Sequence, residues 1–204
     1  MLHIRQTAAR PASDAVLRSM FAARKSVFVD LLKWDVPVLA DTYEIDQYDD
    51  AHATYLILAD SDGTHLGSAR LLPTTRPHIL GDFYPDLCEQ APPQAPDIQE
   101  ITRFCLDRRL RAAERRHVRD TLVTALVDHG LAHGITAYSA IAEMGWLQQI
   151  LAFGWRCAPL GLPRRINGTM LGAVRIDIAS DTKALLIERG IVASPLRIHQ
   201  RVAA

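Results

Sequence analysis

Hydrophobic positions recur along the chain with two periods, and the changes from one to the other mark out its elements. Weak alternation over 2–6 predicts an edge strand, after which Pro11, Ser13 and Asp14 signal a helix start. A helix over 14–33 follows, because Leu17, Met20, Phe21, Val27, Phe28 and Leu31 share one stripe at helical spacing. Apolar runs at 53–60 and 65–72 flank Ser-Asp-Gly-Thr, which predicts an antiparallel hairpin. Residues 76–97 hold five prolines and read as a long surface connection with one helical turn near 84–89. A strand is predicted over 98–106, and then a helix over 117–133 that directs Val118, Leu122, Leu126 and Leu131 inward. Strand 135–142 should lie parallel to strand 98–106, reached by a crossover. Helix 144–153, strand 155–160, a basic loop at Arg164 and Arg165, strand 169–178 and helix 181–189 complete the order. A meander followed by βαβ and αβ units makes a mixed α/β (α+β) chain, and no repeat or long linker divides residues 1–204 into further domains.

Four charged residues break this pattern. Glu100 and Arg103 sit inside strand 98–106, Arg24 interrupts the apolar stripe of helix 14–33, and Arg70 lies within strand 65–72. Charge buried without a partner is costly, so these groups imply complementary ones nearby, and an inward Arg24 would answer Glu100. Strict alternation places Glu100 and Arg103 on opposite faces of their strand. Both reach one site if the strand bulges, which predicts an irregularity near 100–103. Acids are dense at Glu44, Asp46, Asp49 and Asp50. Glu44 and Asp50 read as solvated, whereas Asp46 and Asp49, beside Ile45 and Tyr48, read as folding back over a cleft.

The 23 basic and 23 acidic residues cancel, which argues against nucleic acid or an anionic membrane as the main partner. Six arginines nevertheless lie between 108 and 119, and form either a solvated face or a dock for an acidic partner. Cys88, Cys105 and Cys157 are odd in number and set in apolar context, which suits a reducing cytoplasm. No stretch is long and apolar enough to span a membrane, so a soluble protein is expected. His129 and His133 stand four apart on a helix, but no third ligand accompanies them and no metal is expected. Glycine-rich phosphate loops are absent, and neither Ser139 nor Thr102 has the His-acid neighbours of a nucleophile.

Taken in order, Arg24-x-x-x-Phe28, Trp34, Glu44-x-Asp46-x-x-Asp49, Arg70-Leu-Leu-Pro-Thr-Thr75, Tyr84-Pro85 and Glu100-x-x-Arg103-Phe104 resemble the acyl-homoserine-lactone synthases, the LuxI-type autoinducer synthases of bacterial quorum sensing. The resemblance covers about half the chain. It implies the fold of the GCN5-related N-acetyltransferases, a three-layer sandwich whose mixed, twisted sheet carries helices on both faces and splays at a central bulge. It also implies a transferase that joins S-adenosylmethionine, as a substrate, to an acyl group from acyl carrier protein or acyl-CoA, with no cofactor. Glu100 is then the expected base, with Asp46 the runner-up and Arg103 beside them. S-adenosylmethionine would meet Arg24, Phe28, Trp34, Asp46, Asp49, Arg70 and Phe104. The acyl chain would meet Tyr84, Ala140, Ala142, Met144, Trp146, Leu147, Ile150 and Leu151. Tyr84 replaces the Phe usual in the family. Ala140 and Ala142 replace the threonines common in makers of 3-oxo-acyl signals, which implies a chain without that group, Ser139 being a hydroxyl that could substitute. Arg108, Arg109, Arg111, Arg115, Arg116, Arg164 and Arg165 would dock the acidic carrier protein. The competing readings are an acetyl-CoA N-acetyltransferase on the same fold and a non-catalytic binding module.

Overall fold

A computed structural model describes residues 1–6 and 14–193, so Pro11 and Ser13 lie outside the described residues. In chain order the elements are β1 (Leu2–Gln6), α1 (Ala15–Arg24) continuing as a π-helix over Lys25–Leu31, the short pair β2 (Val38–Leu39) and β3 (Tyr43–Glu44), β4 (Thr54–Ala59) and β5 (His65–Pro73). There follow α2 (Ile79–Phe83) with a 3-10 turn over Pro85–Leu87, β6 (Ile98–Leu106), α3 (Ala112–Ala132), β7 (Ala137–Glu143), α4 (Met144–Ala152), β8 (Arg156–Pro159), β9 (Arg164–Ile166), β10 (Thr169–Asp177) and α5 (Thr182–Glu188).

All six residues of β4 are buried, which demands cover on both sides of the sheet. One face carries α1, whose Leu17, Met20 and Phe21 pack on Tyr55, Ile57 and Leu72. The other carries α3, α4 and α5, whose Val118, Leu122, Leu147 and Leu186 join Leu56, Leu58, Val174 and Ile176 in the main core. The eight strands run β1-β4-β5-β6-β7-β10-β8, with β9 against β10. This is the helix-sheet-helix sandwich that the resemblance implies. Gly63 closes the β4–β5 hairpin at φ +79°, while Asp60 Oδ1 accepts from the Asp62 and Thr64 amides at 3.0 and 2.8 Å.

Several sequence expectations change, among them Arg164 and Arg165, which pair with β10 as part of β9 instead of forming a loop. Leu31 is 53% exposed because the wider π turn carries it off the α1 stripe, and Leu131 is 41% exposed near the end of α3. Helix α3 begins five residues early, at Ala112 rather than 117. Glu114 Oε2 accepts the Arg111 amide at 2.9 Å, and alanine and arginine are good helix formers, so the arginine run is the first turns of a helix rather than a loop.

Strand β6 fixes the site. Its one parallel partner, β7, pairs with it from Ile98–Ala137 to Ile101–Ala140, where the ladder ends and the strands part. Along β5, Arg70 faces Thr102 and Ser68 faces Cys105, so Ala69 stands opposite two residues, Arg103 and Phe104. Arg103 takes φ +50° to make this bulge. The inserted residue turns Arg103 onto the α1 face beside Thr102 and sends Phe104 to the other.

Candidate active site

The misplaced charges assemble into a closed ring. Arg24 donates Nε to Glu44 and both Nη atoms to the Asp49 oxygens, at 2.8 and 2.9 Å. Arg70 bridges Asp49 (2.8 Å) to Asp46 (2.6 and 3.0 Å) and donates Nε to Thr102 at 2.9 Å. Arg103 spans Asp46 (2.7 Å) and Glu44 (3.0 Å), which returns the chain of contacts to Arg24. Three guanidinium groups thus alternate with three carboxylates contributed by α1, β3, the 46–49 turn, β5 and β6. Side-chain exposure is 0–1% at Arg24, Glu44, Asp49 and Arg70, rising to 5% at Asp46 and 10% at Arg103, so the ring is dry and opens on one side. Burial alone would raise the Asp49 carboxyl, but Arg24 and Arg70 hold it well below the usual carboxylate range.

The opening faces an aromatic pair. Phe28 and Trp34 stack at 4.7 Å with 12° between planes, and the Arg103 guanidinium carbon lies 5.7 and 5.9 Å from their centroids. Nη1 of Arg103 makes no hydrogen bond among the described residues, the one ring nitrogen left over. Tyr55 donates its hydroxyl to Asp49 at 2.8 Å. A surface hollow of about 320 Å³ lies behind Tyr48, lined also by Gln47, Asp50, Arg76, Pro77, Asp82 and Phe83, none of them singled out by the sequence as site residues.

Glu100 lies outside the ring. Fully buried, it accepts the backbone amides of Ile79 and Leu80, both at 2.9 Å, and so caps α2. Burial pushes its carboxyl up to about 7 against the pull of those two amides and of Arg70. The expected Arg24–Glu100 partnership is therefore wrong, since Arg24 is saturated by Glu44 and Asp49. Glu44 is likewise corrected from solvated to buried at 0% exposure, because the β2–β3 pair turns it inward. Asp50 stays exposed as expected.

The acyl-pocket residues divide between the two sheet faces. Ala140, Ala142, Leu147 and Ile150 are buried in the main core with Met144 and Trp146 against it, all on the α3–α4 side. Tyr84 instead packs with Leu80, Ile141 and Ala173 on the α2 side, and Leu151 is 39% exposed on the outer side of α4. Phe104 also moves, from the expected S-adenosylmethionine wall to a contact with Trp146 at 5.0 Å, because the bulge reverses its face. Of the basic residues, Arg109 is tied to Asp107 at 2.6 Å, Arg115 reaches the Asp107 carbonyl and Arg165 the Gly168 carbonyl. Arg108, Arg111, Arg116 and Arg164 have no ion-pair partner among the described residues. His129 and His133 stack on each other at 4.1 Å. Sequence reasoning missed the amides of Ile79 and Leu80, which no side-chain signal marks, and missed Thr102 as a partner of Arg70.

A mixed sheet bulged at β6, parted from β7 and covered by helices on both faces is the scaffold of the N-acyltransferases. An acyl-CoA N-acyltransferase from Pseudomonas aeruginosa shares it, with a TM-score of 0.60 at 14% identity over 86% of this chain and 98% of that one. The autoinducer synthase family model matches residues 9–186, and the chain belongs to that family. It is 31% identical over 192 residues to the isovaleryl-homoserine lactone synthase of Bradyrhizobium diazoefficiens, covering 93% of this chain and 85% of that protein. It is 32% identical over 178 residues to an acyl-homoserine-lactone synthase of Ralstonia nicotianae, covering 85% and 87%. Among solved structures, the CoA-dependent acyl-homoserine lactone synthase BjaI with SAM and isopentyl-CoA superposes with a TM-score of 0.83 at 30% identity, covering 93% of this chain and 88% of that one. Among the described residues no helix is long and apolar enough to cross a membrane.

Proposed function

We propose that the protein makes an acyl-homoserine lactone from S-adenosylmethionine and a thioester-bound acyl group, releasing methylthioadenosine. The observation that carries this is the charged ring beside a bulged, forked strand bearing a buried carboxyl, in a chain that is similar throughout to acyl-homoserine-lactone synthases. The α-amine must lose a proton before its lone pair attacks the thioester carbon. Glu100 takes that proton: its carboxyl titrates near neutrality, whereas both oxygens of Asp46 are held by arginines. The C–N bond forms, the C–S bond breaks, the departing thiolate takes the proton held by Glu100, and the second proton on the new amide nitrogen passes to the freed Glu100 carboxylate. The methionyl carboxylate then attacks its own γ-carbon and expels methylthioadenosine from the sulfonium, a step aided mainly by holding the substrate folded. Arg103 Nη1 holds the carboxylate, and Trp34 with Phe28 holds the adenosyl end. Saturated residues of the ring keep that arm in place rather than touching substrate. Incubation with labelled S-adenosylmethionine and an acyl-donor pool should release methylthioadenosine together with an organic-soluble lactone; neither product with any donor would overturn the reading.

The acyl chain runs over Ala140 and Ala142 toward Leu147 and Ile150, an apolar lining that favours a chain without a 3-oxo group. The donor is acyl carrier protein, docked on Arg108, Arg111 and Arg116 at the start of α3. A second reading, acyl-CoA, is favoured by the similarity to the CoA-dependent synthase BjaI. Arg108→Glu with Arg116→Glu should slow transfer from the carrier protein by about ten-fold, increasingly so at low salt, and leave the S-adenosylmethionine KM unchanged. Equal loss with acyl-CoA would move the assignment to the second reading.

A further inference from the structure

One buried polar side chain beside the proposed base has no role in the steps above. Ser139 on β7 is 0% exposed, and its hydroxyl has no hydrogen-bond partner among the described residues. Buried hydroxyls are nearly always paired, so this one points to a group that the protein itself does not supply. Its position is specific. In the parallel ladder Ser139 is the register partner of Glu100, and in-register residues of neighbouring strands project to the same face. That face is the one α2 covers, where Glu100 accepts the Ile79 and Leu80 amides. Tyr138 points the other way, donating its hydroxyl to the Leu126 carbonyl of α3. One residue further on, at Ile101 and Ala140, the ladder ends and the strands fork. Glu100 and Ser139 therefore form the rung next to the apex of the opening.

We propose that Ser139 is a positioning residue for proton transfer: its hydroxyl and the Glu100 carboxylate together hold the water through which Glu100 takes the substrate amine's proton. Each Glu100 oxygen already accepts one amide, which leaves each a second lone pair for such a water. The serine hydroxyl offers a donor and two acceptor sites, so a water between the two groups is oriented with one hydrogen on the carboxylate and a lone pair toward the fork. In the step, the water takes a proton from the substrate ammonium as it passes one of its own to Glu100. It ends unchanged, with the amine neutral and the carboxyl protonated. The inference rests on Glu100 being the base.

The charged and titratable groups around this rung are Arg70 of β5 and Asp82 of α2, which both act on Glu100, His78 at the N-cap of α2, which turns to the Arg76 carbonyl, and the Arg175–Asp177 pair of β10, where Arg175 is the register partner of Ser139. Ser139→Ala alters none of them. It removes the hydroxyl that holds the proposed water on ionised Glu100, so the rising limb of kcat against pH should move upward by roughly half to one unit. Near pH 7 kcat should fall on the order of ten-fold, with the KM values for both substrates unchanged. Ser139→Thr, which keeps a hydroxyl on a strand, should restore the limb. If the alanine variant proves unstable, Ser139→Cys, close in volume and a weak donor, should move the limb the same way. A Ser139→Ala profile that superimposes on wild type, or a change confined to the acyl-donor KM, overturns the proposal. Full activity in Glu100→Gln would instead sink the base assignment, so the two failures are distinguishable.

Discussion

Glu100→Gln should lower turnover on the order of 10²- to 10³-fold while the chain still folds. The amide cannot accept the amine's proton, and the limb of the pH profile near 7 should disappear with it. Burial raises the wild-type carboxyl from 4.5 to about 7, so the folded state binds this proton more tightly than the unfolded chain does. The sign follows from linkage. Between pH 4.5 and about 7 the unfolded chain releases the proton first, so this group's contribution to stability falls as pH rises, by about 3 kcal/mol in all. Activity should therefore climb through the same window in which wild-type stability declines. Glutamine does not ionise, and thermal melts of the variant should lose that slope. The variant should also start from lower stability, by about 1–2 kcal/mol, because one side of its amide presents N–H to an α2 amide that had an acceptor. Retained turnover, or a melting profile parallel to wild type across this range, would show that Glu100 serves as a cap alone.

Much of the frame was legible because local chemistry and global packing agree. The β4–β5 hairpin carries its turn signal, the strand at 98–106 its β-branched run, and the bulge follows from the conflict between Glu100 and Arg103 on an alternating strand. What stayed hidden depends on partners remote in sequence. Glu44 looks like one acid among several in a polar stretch, and what buries it is Arg24, twenty residues away, together with Arg103, fifty-nine away. The same applies to Glu100, whose counter-groups are backbone amides and so carry no residue type to read. Phe104 and Tyr84 lie on other sheet faces than the residues grouped with them, because one inserted residue reverses every later face of the strand, and because a connection rich in proline hides which face it crosses.

Glu44→Ala should be among the most destabilising single changes in the chain, costing about 3–5 kcal/mol. Removing this carboxylate opens the ring at two places at once, stranding Arg24 Nε and the Arg103 fork in surroundings that exclude water. An uncompensated buried guanidinium has no cheap alternative, since its pKa is too high for it to neutralise. For a domain of this size the loss corresponds to a melting shift of roughly 10 °C. Asp50→Ala, one residue beyond the last acid of the pattern yet exposed, should stay within about 0.5 kcal/mol of wild type. The ring also explains why Arg103 tolerates φ +50°, a conformation that costs a non-glycine residue on the order of 1 kcal/mol or more. Its guanidinium is fixed by Glu44 and Asp46, and those acids are fixed in turn by Arg24 and Arg70. Glu44→Ala should accordingly raise the KM for S-adenosylmethionine as well as lower the melting point, because the Arg103 guanidinium loses one of the two acids that hold it beside the aromatic pair. If Glu44→Ala and Asp50→Ala melt together, the ring is a loose surface cluster and the account of how the bulge is held fails with it.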